Sequence, residues 1–153
     1  LFKDRHALQT AVVALDALTI ARVSLDLPLR ANLSALDNIA LIPLYQRHFS
    51  AAESARQAMA LLDKLDHLDI VSLRDPDMTP SQRFVTQLAR ALILHRPRLI
   101  IDRPGAMLYD VMYPTFIHQL ASRVTSTGAW EIFDYDWNRV LHPQAPTPNT
   151  THE

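Results

Sequence analysis

The spacing of apolar side chains divides the chain into alternating helical and extended stretches. Leu8, Val12, Leu15 and Leu18 recur at helical intervals behind Asp4, a possible cap, so a helix is predicted from Asp4 to about Leu18. Thr19 to Leu25 then alternates with β-branched residues and reads as a strand, and Asp26-Leu27-Pro28 starts a loop. Ser34, with Asp37 three residues on, caps a second helix. Ser50 and Glu53 form a capping box for a third, whose stripe Ala55, Met59, Leu62 and Leu65 carries it to about Leu65. His67-Leu68-Asp69 turns into the loop Arg74-Asp75-Pro76-Asp77. Thr79 and Gln82 then make another capping box, with Pro80 at the first helical position, where a missing N–H costs nothing.

Phe84, Leu88, Ala91 and Leu92 extend that helix to about Leu94, and His95-Arg96-Pro97 breaks it. Leu99-Ile100-Ile101 is a short apolar run of the kind buried on both faces in a parallel sheet. Asp102 ends it, at the strand terminus where open α/β sheets place their ligands. A further helix begins near Pro114, turns Phe116, Ile117, Leu120 and Val124 inward, and ends before Gly128. Trp130 to Phe133 reads as another strand, and the Pro/Thr/Asn-rich stretch from Pro143 to Glu153 as a disordered tail. The pattern is that of an α/β chain.

Composition narrows the chemistry. The 153 residues are 48% hydrophobic, enough to bury a sizeable core in one domain. A net charge of −1 implies no general affinity for nucleic acid or anionic membranes, and the lack of cysteine excludes disulfides and thiolate chemistry. No apolar run reaches the ~18–20 residues of a membrane-spanning helix, and no signal peptide is read at the start. The seven histidines are scattered without metal-ligand spacing. The carboxylate pairs Asp75/Asp77 and Asp134/Asp136 read as solvated loop residues, and Ser81 has no evident base. Two glycines, Gly105 and Gly128, and two lysines, Lys3 and Lys64, are too few for a phosphate-binding P-loop.

One stretch carries a resemblance. Met78-Thr79-Pro80-Ser81-Gln82, then Ala89-Arg90-Ala91-Leu92, then Asp102-Arg103-Pro104 resembles, in order and spacing, the ATP-binding cassette (ABC) subunits. There a signature loop L-S-G-G-Q opens a helix ending A-R-A-L, and a buried strand closes with D-E-P. Leu36-Asp37-Asn38-Ile39-Ala40-Leu41 is similar to the L-x-E-N-V-A segment after the family's Q-loop, in a form found in some lipid-trafficking importers. Gly105 to Asp110 matches the D-loop loosely. The resemblance covers Thr19 to Leu141 and implies a P-loop-NTPase-like (ABC ATPase) partial core sheet with a helical subdomain at about 34–94, within one domain at 1–142.

It also implies what has been lost. The signature glycines fall on Pro80 and Ser81, and Pro80 has no N–H to offer a phosphate. Asp102 matches the Walker B aspartate, a magnesium ligand in the family, but the catalytic glutamate falls on Arg103, which stays protonated and cannot act as a base. Tyr135 stands at the switch histidine, and Leu25 or Asp26 at the Q-loop glutamine. The family's Walker A motif would lie before Leu1. The implied nucleotide-facing positions are therefore Leu25, Thr79, Pro80, Ser81, Gln82 and Tyr135, with Asp102 facing the metal and no catalytic residue.

Three functions follow. The first is a degenerate cassette without ATPase activity, a binding or regulatory subunit for a membrane permease or an active cassette, cytoplasmic at the inner face of the membrane. The second is a subunit that binds ATP and Mg and hydrolyses slowly, in a dimer or with a phosphate loop supplied upstream or by a partner. The third is a stand-alone α/β interaction domain.

Overall fold

The computed structural model describes residues 1–16, 18–124 and 128–142. The tail predicted at 143–153 lies outside the described residues. Three parallel strands form the sheet in chain order: β1 (Ile20–Val23), β2 (Arg98–Asp102) and β3 (Ala129–Phe133). Val23 pairs with Ile101, and Asp102 with Phe133, so the three carboxyl ends lie level. Leu99, Ile100 and Ile101 are buried, as a central parallel strand requires.

Helix α1 (Arg5–Val13) precedes β1. Between β1 and β2 lie α2 (Ala35–Gln46), α3 (Ala51–Lys64) and α4 (Pro80–Leu92); α2 packs on α3 and α4, and α4 on β1. A short α5 (Pro104–Met107) and α6 (Tyr113–Arg123) lead to β3. One buried cluster is continuous from the sheet (Val23, Leu99, Ile101) through α4 (Phe84, Leu88) into the helices (Ile39, Leu62, Ile70).

Several boundaries differ from the sequence reading. α1 stops at Val13 instead of Leu18, because the Asp16 carboxylate takes the Leu18 N–H (2.9 Å) and the Thr19 hydroxyl, and such local bonds compete with a helix. β1 ends at Val23, where Ser24 turns its side chain to the neighbouring strand. Ser50 caps α3, but the Glu53 side chain goes to Arg56 and Gln57, so the capping box is not closed. α4 ends at Leu92 in bonds of three-residue span, with His95 in the left-handed region at φ 53°. The Thr79–Gln82 box forms as predicted. Asn38, 2% exposed, fixes the loop before α2: its carboxamide donates to the carbonyls of Arg30, Leu33 and Ser34 and accepts from the Arg30 N–H.

Gly128 meets β2 closely. A Cβ there would sit 2.9 Å from the Pro97 carbonyl oxygen, so no larger residue fits without moving backbone.

Candidate functional site

The carboxyl ends of the strands bring together Ser24, Asp102 and Asp134, each at the first turn out of its strand or at its last residue. Asp102 is 1% exposed and both its oxygens are occupied. Ser24 donates its hydroxyl to Oδ2 at 2.9 Å, while the Arg103 guanidinium donates to Oδ1 at 2.9 Å and to Oδ2 at 3.1 Å. Arg103 also reaches Asp26 at 3.0 Å. This fork is possible because Arg103 takes left-handed backbone (φ 52°, ψ 59°), a conformation that costs about 1–2 kcal/mol for a residue with a Cβ, while its N–H donates to the Phe133 carbonyl at 2.7 Å. The bond to Asp102 raises the Arg103 pKa above the ordinary arginine value, against the opposing effect of burial.

The donor set does not fit a magnesium ion. A metal-binding carboxylate needs a lone pair turned to open space, whereas Asp102 is enclosed and neutralised by a cation of its own chain. Arg103 cannot take a proton from water, so the position offers no general base. Leu25, which with Asp26 was expected at the Q-loop position, is 50% exposed with an apolar side chain; the polar group that reaches the site from this loop is Asp26.

The amino end of α4 is closed in the same way. Pro80 has no N–H. The Thr79 N–H donates to Gln82 Oε1 (3.0 Å), the Gln82 N–H to Thr79 Oγ1 (3.2 Å), and the Ser81 N–H to the Asp110 carboxylate (3.0 Å). Thr79 and Ser81 hydroxyls lie 3.1 Å apart. Asp110 thus sits where an anion would approach the helix dipole, and no first-turn donor is left over for a phosphate.

Beside the end of β3 the chain start forms a single β-bridge followed by a turn and a helix, which the sequence reading did not foresee. Phe2 pairs in parallel with Tyr135 beside β3, Lys3-Asp4 turns, and α1 begins. This arrangement, bridge then turn then helix, has the order a phosphate loop needs, but the turn has two residues and no glycine, and the Asp4 carboxylate accepts the Ala7 N–H at 2.8 Å. The cleft between α1 and the strand ends, about 300 Å³, is lined by Arg5, Val12, Arg22, Asp26, Asp102 and Arg103 among others, at the small end of ligand pockets.

Asp134 corrects the reading of a solvated loop carboxylate. It is 1% exposed and receives four donors: Tyr113 Oη (2.8 Å), its neighbour's N–H at Tyr135 (2.8 Å), Asn138 Nδ2 (2.9 Å) and His142 Nε2 (3.2 Å). Burial works to raise its pKa, but the bonds from Asn138, Tyr113, Tyr135 and His142 outweigh it and hold the carboxyl below its usual range. Burial, with the bond to Asp134, pushes the Tyr113 phenol up. Asp75, also read as solvated, is paired with Arg83 at 2.5 Å. Tyr135, expected from the resemblance at the switch-histidine position, stacks on Trp137 with centroids 4.1 Å apart.

A larger groove, about 770 Å³, runs between β1, the loop after it, α2 and α4; Leu27, Leu41, Ile42 and Tyr45 give it an apolar wall. Arg90 of α4 fixes that loop by donating to the Leu27 and Pro28 carbonyls. Among the described residues no helix is long and apolar enough to cross a membrane.

No family model matches the sequence, and no curated protein matches it. Solved structures do. The dimeric structure of MJ0796, a bacterial ABC transporter cassette, aligns at TM-score 0.62 and 23% identity over 78% of this chain and 53% of that one. A dimeric post-hydrolysis state of the same cassette, bound to ADP and Pi, aligns at TM-score 0.62 and 22% identity over 82% and 59%. The fold is that of the ATP-binding cassettes, a P-loop-NTPase-like α/β core. The chain spans somewhat more than half the length of these cassettes.

Proposed function

We propose that this chain is a cassette-shaped subunit that neither binds Mg-ATP productively nor hydrolyses it, and that works by binding a partner. The observation that carries this reading is the Arg103–Asp102 pair, in which the residue at the catalytic-glutamate position neutralises the one at the Walker B position. Three further closures agree with it: the filled donors of α4, the Asp4 cap on α1, and the apolar Leu25. The nucleotide-facing positions Thr79, Pro80, Ser81, Gln82 and Tyr135 keep their places as structural parts.

The partner is a helix of a membrane permease, seated in the groove between α2, α4 and the loop after β1, with the chain at the inner face of the membrane. Support comes from the apolar wall of that groove and the 70% exposure of Tyr45 beside it. The dimeric state described for MJ0796 supports a second cassette, identical or active, as an additional partner.

The reading is tested by phosphate release from Mg-ATP. Release at the no-enzyme background is expected; turnover of ~1 s⁻¹, the low end of ordinary enzymes, would overturn it.

A further inference from the structure

At the opposite end of the sheet from Asp102, three helix ends meet. The last turns of α2, α3 and α4 and the segment entering β2 enclose a cleft of about 540 Å³. Among the described residues its charged lining is of one sign: Arg47, Lys64 and Arg96, with His95, and no carboxylate. The floor is apolar, with Phe49 and Leu92.

Two of these cations, Arg47 and Lys64, stand at helix C-termini, where positive charge suits the dipole regardless of any ligand. Arg96 is different. It follows the helix by several residues, its Nε is buried, and that donor has no hydrogen-bond partner, a situation that ordinarily costs free energy. His95 beside it is held in left-handed backbone, and its pKa is lowered by burial and then by Arg47 and Lys64, two of the cations that line this cleft. Among the described residues six arginines elsewhere, Arg56, Arg83, Arg98, Arg103, Arg123 and Arg139, each meet a carboxylate, whereas Arg5, Arg22, Arg30, Arg74 and Arg90 do not; what sets Arg96 apart is its buried Nε without a partner. Here an apolar floor and uncompensated cations stand together, at a volume ordinary for small-molecule sites.

We propose that this cleft is a binding site for a small organic phosphate with an apolar body, distinct from the nucleotide-facing end. The head is held by Arg96, Lys64 and Arg47, and the body lies on Phe49 and Leu92. A phosphate is favoured over a carboxylate because three cations converge where one negative charge would leave two unmatched.

The test uses 2-naphthyl phosphate, with 2-naphthol and inorganic phosphate as the two half-ligands, and reads calorimetry together with the fluorescence of Trp130 in the cleft wall, on a Trp137→Phe background. The expected result is a Kd of ~0.1 mM for naphthyl phosphate, at least tenfold weaker for each half-ligand, with a further loss of about tenfold in Lys64→Gln and in Arg96→Gln. Lys64 is exposed at a helix end, so its variant keeps the fold even if Arg96→Gln does not. Absence of binding at about 5 mM, or affinity unchanged in Lys64→Gln, would overturn the proposal, as would equal binding of naphthol.

Discussion

The two ends of the sheet are built on opposite principles. At the carboxyl end the carboxylates and helix donors named above are matched by their own chain: Asp102 has Ser24 and Arg103, Asp134 has four donors, and the first turn of α4 has Thr79, Gln82 and Asp110. At the amino end Arg47, Lys64 and Arg96 line a cleft that holds no carboxylate among the described residues. The strand order of a cassette is present at both ends, so the frame does not dictate the difference. On the reading proposed above, a few side chains at strand and helix termini suffice to close a ligand site, because those termini expose the fewest and most specific donors. The buried rows between them, Leu99 to Ile101 and Phe84 to Leu88, hold the architecture independently of whether the ends bind anything.

The largest expected effect is that of placing a glutamate at position 103. Arg103→Glu removes the cation from a fully buried carboxylate and adds a like charge, so it should destabilise the fold by about 3–5 kcal/mol, read by urea denaturation, and should not create ATPase activity. A milder loss, about 2 kcal/mol at neutral pH, is expected for Tyr113→Phe, which takes one donor from Asp134. Its pH dependence follows in sign. Asp134 has a folded pKa below its unfolded value, so its contribution is complete above the unfolded pKa of ~3.9 and is lost as pH falls through the folded one. The gap between wild type and Tyr113→Phe should therefore narrow on acidification below about pH 4.

Thr79→Ala, which opens the α4 cap, should cost about 1 kcal/mol by the same denaturation assay. The smallest effect belongs to the amino end: Lys64→Gln should change stability by no more than ~0.5 kcal/mol, because no carboxylate loses a partner. A loss as large as that of Arg103→Glu would erase the contrast between the two ends.

Much of the frame was legible because its signals are local. Thr79 and Gln82, Ser34 with Asp37, and the run Leu99-Ile100-Ile101 each announce an element within a few residues. The placement of Asp102 at the carboxyl end of a buried strand was legible as well, since an apolar run followed by a carboxylate is local. What could not be read were partners far apart in the chain. Ser24 meets Asp102 across 78 residues and Asp110 meets Ser81 across 29, and neither leaves a pattern in either segment. Asp134 looked solvated because its burial depends on Tyr113 from α6 and on Asn138 and His142 beyond β3. The position itself, one residue past a strand at the same end as Asp102, was the available signal.

On the proposed reading the chain's own side chains close the nucleotide face. Thermal denaturation of the full chain with Mg-ATP raised to the millimolar range tests it directly. A nucleotide at 100 times its Kd would stabilise the fold by ~2.7 kcal/mol, and the account predicts no shift at all. A saturable rise in melting temperature that disappears in Asp102→Asn would contradict it.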